Sequence, residues 1–314
     1  MSKPFKTYDE QIEILSNRGL DINNPEYAKI ILSQVNYYNL INGYKTLFLD
    51  NTSSNEVEDV YKAGSSFEEI YALHEMDREL KEVVFSSLLR FEKLLKTSCA
   101  YHFSDLYRDG LYPYLQIENY SASKHQLNYV LKNIGTLSNA ISRENKNSNG
   151  KKPIKHYIKK HDHIPLWVLV NFLTLGNISY FYNSLDESLQ NKIARDFGER
   201  YKDSYQSKEK ISKTELIDII KICNFFRNVC AYDEVMYSFS LNKAGQTAIF
   251  EKFFDENYTG KNLHDLILVL KLVIPEKEYQ SLISSISSIK NKYEDKFTSI
   301  SIDAIFAISG FPNK

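Results

Sequence analysis

A chain of 314 residues with 43% apolar and 25% charged residues has the composition of a globular protein and is long enough to bury a sizeable core. Its formal net charge of −1 excludes a global basic field that would draw it onto nucleic acid, so any such contact needs a local patch. Only 11 Gly and 7 Pro speak against a turn-rich β fold and for long helices.

Taken in chain order, residues 7–19 pair Thr7 with Glu10 three positions on, which predicts a capping box, and Gly19 predicts a helix stop. Pro25 suits the first turn of a second helix running through Ile31 to Val35. The aromatic segment after it holds Tyr37, Tyr38 and Tyr44, rings that either stack on bases or pack this opening unit onto the body. Polar residues 50–65 predict a loop. Residues 66–102 predict one long helix, on which Phe67, Ile70, Leu73, Leu80, Leu88, Phe91 and Leu95 recur at helical spacing. Glu92 and Lys96, four apart on it, read as a surface pair worth ~0.3–0.5 kcal/mol with no function of its own. His102 reads as a packed or capped histidine.

Residues 143–163 carry seven Lys or Arg against two Asp or Glu, with Asn147–Gly150 and Pro153 marking a turn inside the run. Lys151, Lys152, Lys155, Lys159 and Lys160 are candidates for phosphate contacts. The competing reading of such a run is a solvated face. His161 and His163 lack companions at ligand spacing, so neither metal nor cofactor is expected. Pro165 opens the next helix, where Trp167, the only tryptophan, reads as core, and Gly176 permits close helix packing. A helix through Leu189 and Ile193 is predicted to end near Gly198.

Within residues 214–239, Leu216, Ile219, Ile220, Cys223, Phe226 and Cys230 follow the spacing of a helix with one buried face. Arg227 sits within that face, followed by Asn228, with no acid one turn back. A guanidinium there costs desolvation unless an anion meets it. Either a carboxylate distant in sequence or a ligand's phosphate would serve. Beyond it, residues 248–254, 263–274 and 279–289 predict further helices. Cys99, Cys223 and Cys230 all lie in apolar helical patterns and read as reduced core residues of a cytoplasmic protein. No apolar leader and no run of 18 apolar residues occurs, which predicts a protein neither secreted nor membrane-spanning.

The stretch FRNVCAYDE resembles the R-N-x-C-A-H motif of the Abi family, the abortive-infection proteins of the AbiD/AbiF type within the HEPN superfamily. Three further segments are similar to that family: the opening KPFKTYDEQ with the later YYNLINGY, the segment PLWVLVNFLTLG, and the closing GFP. Asn171 stands where the family often has Glu, and Tyr232 where it has His. The resemblance implies an all-α, HEPN-like helical bundle over 66–240, with a small helical unit at 1–50 and a C-terminal extension over 241–314. It also implies a phage-defence, metal-independent endoribonuclease that pairs as a homodimer and acts on RNA, with Arg227, Asn228 and Tyr232 as the catalytic candidates. Tyr37 and Tyr38 join the lysines as RNA-binding candidates.

Histidine exchanges protons near neutral pH and arginine holds phosphorane charge, which is why that chemistry uses both. A phenol, protonated up to pH ~10, can donate a proton but cannot act as a base. Three outcomes stay open for Tyr232: a slow or unusual ribonuclease, an RNA-binding protein that does not cut and holds a partner small RNA, or a site completed by His102, His161 or His163.

Overall fold

The computed structural model describes residues 4–50, 59–121, 123, 126–146, 152–161, 163–241, 252–254 and 260–312. The predicted turn at 147–150, Lys151 and most of the predicted helix at 248–254 lie outside them. Among the described residues the chain is all-α: its only β pairing is two isolated bridges, Asp21 to Ser66 and Leu49 to Tyr61.

Helix starts follow from local chemistry. Thr7, Ser66, Thr174, Ser212 and Asn262 each accept a hydrogen bond from the backbone three residues on, and the side chain there returns the bond. The first two helices are α1 (Tyr8–Asn17) and α2 (Pro25–Gln34). Gly19 takes φ +87°, the left-handed conformation that ends α1. A π-helical turn at Tyr38–Asn42 follows. Gly43 then lets the backbone pass so close to Val235 that a Cβ would stand 3.0 Å from its Cγ2.

The long helix, α3 (Phe67–Leu106), spans 40 residues, about 60 Å at 1.5 Å per residue. It is the axis of the molecule. After it come α4 (Leu127–Lys146), α5 (Lys152–His161), α6 (Leu166–Leu169), α7 (Leu175–Ser184), α8 (Glu187–Tyr205) and α9 (Lys213–Ala231). The last three are α10 (Leu263–Val273), α11 (Glu276–Tyr293) and α12 (Ile302–Ile308). Helices α6, α8, α9 and α11 all pack on α3, while α4 lies on α7 and α5 on α4. One apolar core runs through the bundle from Leu15 to Phe306.

Two readings are corrected. Helix α8 does not stop near Gly198 but runs seven residues further, to Tyr205. The glycine is needed there because the backbone of Ile211 crosses so near that a Cβ would lie 3.1 Å from its nitrogen. Trp167 is not core: it is 57% exposed. The three cysteines are free, and burial pushes the thiol of Cys230 up to about 12. Among the described residues no helix is long and apolar enough to cross a membrane.

Candidate functional site

Helix α9 starts where Ser212 Oγ accepts from Glu215 N at 3.2 Å and Glu215 Oε2 accepts from Ser212 N at 2.6 Å. Leu216, Ile219, Ile220, Cys223 and Phe226 are then all buried against the bundle. That burial fixes the rotation of the helix, and the rotation points Arg227 at the middle of α3. Its guanidinium lies 5.9 Å from the ring centre of Phe85. Its Nε stands 4.0 Å from Glu92 Oε2, too far for a hydrogen bond. Both atoms are buried and lack a hydrogen-bond partner, although the arginine side chain keeps 23% exposure.

Glu92 and Lys96 do pair, at 2.6 Å, but not on the surface: their side chains are only 9% and 13% exposed. The expectation of a solvated, idle pair is therefore wrong in its setting. A helix-surface rule cannot see a third partner brought by tertiary packing, and here that partner is Arg227. One carboxylate shared by two cations leaves a net positive charge in a half-buried place. An anion is attracted to such a place, and the guanidinium retains unused donors to meet it.

The three catalytic candidates point three ways. Successive residues of a helix turn by about 100°, so Asn228 faces away from Glu92. It borders a cavity of about 510 Å³ with Phe225, Val229, Phe239 and Leu241. Tyr232 follows the last turn, its N–H donating to Asn228 O at 2.9 Å, and its ring is 74% exposed. It lines a separate cleft of about 390 Å³ with Tyr38, Asn39, Asn42, His74 and Asp233.

That cleft is held by Asp77, whose side chain is wholly buried on α3. Its carboxylate accepts from Tyr44 Oη at 2.9 Å, Met236 N at 3.1 Å and Tyr237 N at 2.7 Å. Lys81 lies 3.7 Å from Asp77 and also binds Asp233, which sits at φ +53° in the turn. Tyr44 thus packs the opening unit onto the body, and Tyr38, 70% exposed, is left free to stack. Tyr37 is half-buried, and burial raises its phenol.

His74 was not singled out by sequence, because its neighbours on α3 carry no motif. It is packed on Tyr44 and Tyr71 with ring centres 5.3 and 6.0 Å away. Burial lowers its pKa, outweighing the neighbouring Glu75 carboxylate that raises it.

Elsewhere His102 behaves as expected of a packed histidine. Its Nε2 and Ser98 Oγ both reach Asp196 Oδ2, at 3.0 and 2.5 Å, tying α3 to α8. His163 Nδ1 lies 2.9 Å from His161 O, at the far end of α5. The basic candidates sit on that helix: Lys159 and Lys160 are exposed, Lys155 is half-buried, and Lys152 opens it. The rings of Tyr157 and His161 lie 5.2 Å apart beside them.

Fold and site together define an all-helical protein whose helix α9 presents an arginine, short of hydrogen bonds, to a buried Glu–Lys pair. Residues 30–238, well over half of the chain, match the family model described as Abi-like protein, and the chain belongs to that family. The matched span contains Glu92, Trp167, Arg227 and Tyr232, and it leaves out α1 and α10 to α12. No curated protein and no solved structure matches the chain.

Proposed function

We propose that this chain is a phage-defence protein of the HEPN type that binds RNA, with Arg227 gripping a phosphate, and that two copies pair to cut RNA without metal. The carrying observation is the electrostatics at Glu92. The carboxylate is divided between Lys96 at 2.6 Å and Arg227 at 4.0 Å, so it quenches neither cation fully. A phosphate oxygen reaching Arg227 would take up donors that the fold leaves idle, in the bidentate manner that suits a guanidinium.

In the cleaving reaction the ribose 2′-hydroxyl loses its proton to water as its oxygen attacks the adjacent phosphorus, the bond to the 5′-oxygen breaks, and a 2′,3′-cyclic phosphate remains. Arg227 would carry the extra negative charge on phosphorus. Tyr232, whose ring is exposed, would give its hydroxyl proton to the departing 5′-oxygen and take one back from water. Lys159 and Lys160 of α5 would hold the strand's backbone, and Tyr38 a base.

One observation favours a second reading, in which RNA is held and not cut. Tyr232 opens into the cleft of Tyr38 and Asn42, whereas Arg227 faces Glu92 and Phe85. A single copy thus does not bring the two catalytic candidates onto one phosphodiester. Labelled RNA incubated with purified protein in EDTA separates the readings. Cyclic-phosphate ends that vanish with Arg227→Ala support cleavage; intact RNA retained on the protein supports holding; wild type that neither retains RNA nor yields cyclic-phosphate ends defeats both.

A further inference from the structure

The cleft of about 390 Å³ beside the last turn of α9 is lined from two directions by groups that exchange protons, Tyr232 from the turn and His74 from α3. Tyr38, Asn39 and Asn42 add to its polar wall. A hollow in the ~300–1,000 Å³ range holds a small ligand, which is room enough for one sugar–phosphate unit.

The imidazole is held as a base needs to be held. His74 Nδ1 lies 3.1 Å from Glu75 Oε1. A carboxylate only accepts, so Nδ1 carries the hydrogen and the lone pair of the neutral ring falls on Nε2. Glu75 is fixed in turn by Arg78, whose Nη2 donates to Oε2 at 2.7 Å. Tyr71 stacks on the ring at 6.0 Å and Tyr44 meets it edge-on at 5.3 Å, which sets its plane. Nε2 has no hydrogen-bond partner among the described residues, and the side chain keeps 13% exposure where it lines the cleft. Burial, the largest influence on the ring, favours its neutral form against Glu75 and Asp233, which favour the cation. By contrast, Nε2 of His102 is already spent on Asp196.

We propose that His74 is the proton acceptor of the cleaving reaction, taking the ribose 2′-hydroxyl proton on Nε2 while Tyr232 protonates the departing 5′-oxygen in the same cleft. The inference rests on the cleavage reading above and gives to a side chain the step left there to water. As the 2′-oxygen bonds to phosphorus, its proton passes to Nε2; as the bond from phosphorus to the 5′-oxygen breaks, that oxygen takes the Tyr232 proton. Imidazolium and phenolate then exchange one proton through water, and both groups return to their starting forms. Among the described residues that line the cleft there is no cation, and Asp233, paired with Lys81, and Glu234 stand at its border. The charge on phosphorus is therefore met from outside, by Arg227 of the second copy.

The test follows cyclic-phosphate formation from labelled single-stranded RNA in EDTA with the full-length protein, and reads RNA retention and melting temperature on the same samples. His74→Gln, which keeps a polar side chain at that place, should slow formation about a hundredfold and leave retention and melting as in wild type. His74→Ala should be as slow, and added imidazole should restore it roughly tenfold, the rescue growing with the unprotonated fraction of the imidazole. A ring that only packs cannot give that rescue. Should the alanine variant fail to fold, His74→Gln alone decides. Cyclic ends formed by His74→Gln at the wild-type rate would overturn the role of His74 and leave the cleavage reading standing, as would a loss in two folded variants that imidazole does not mend. Wild type that forms no cyclic ends would overturn the cleavage reading and this inference with it.

Discussion

Two carboxylates on the same long helix are buried to nearly the same degree and are treated in opposite ways. Asp77 receives two backbone N–H groups and a tyrosine hydroxyl, with Lys81 beside it. Glu92 receives one lysine and faces an arginine that stops short at 4.0 Å. The first is satisfied and closes the turn that follows α9; the second keeps unmet capacity next to an open cavity. Full satisfaction marks a group that holds the fold together, and partial satisfaction marks one that waits for something else.

Substitutions should separate the two regions by size and kind of effect. Asp77→Ala removes a buried anion from three donors and a lysine, and should cost about 3–5 kcal/mol in chemical denaturation; a loss under ~1 kcal/mol would mean the turn is held by other contacts. Glu92→Ala strands Lys96 and Arg227 together and should cost less, about 1.5–3 kcal/mol, while leaving the turn after α9 intact to proteolysis.

A third carboxylate, Glu69, extends the comparison to pH. Burial alone would raise its carboxyl, but the N–H groups of Ser299, Thr298 and Ser66 outweigh burial and hold it below the ordinary value. A depressed folded-state pKa contributes stability above the ordinary carboxylate range, and that contribution disappears as pH falls through the folded value. Melting temperature should therefore fall more steeply in acid for wild type than for Glu69→Gln, and parallel curves would contradict the assignment. The smallest effect is expected for Tyr232→Phe. The ring is exposed, so stability should shift by less than ~0.5 kcal/mol, whereas any cyclic-phosphate production should drop; unchanged production would remove Tyr232 from the chemistry.

Much of the frame could be read before any coordinates, and for physical reasons. The capping box at Thr7 is a local device spanning three residues, so α1 starts where its sequence says, and boxes of the same kind open α3 at Ser66 and α9 at Ser212. Glycine is ambiguous by itself. Gly19 does end a helix, whereas Gly198 sits inside one because the backbone of Ile211 crosses it. Trp167 looked like core because LWVLV is apolar throughout and carries no period that would show which side faces solvent. The setting of Glu92 was hidden because its third partner lies 135 positions away in the chain. Adjacent numbers also mislead about direction: Arg227, Asn228 and Tyr232 form one motif on paper and face three different surroundings in space.

The central claim is that Arg227 is kept for a phosphate and is not a structural ion pair. Arg227→Ala tests it most directly, with RNA affinity measured across a range of salt and stability measured on the same samples. Affinity should fall at least tenfold, and the slope of log affinity against log salt should shrink by about 0.7, the value of one single-strand phosphate contact. Stability should move by less than ~1 kcal/mol, since Glu92 keeps Lys96. Unchanged RNA affinity together with a loss of several kcal/mol would show that the arginine serves the fold and that the phosphate never comes.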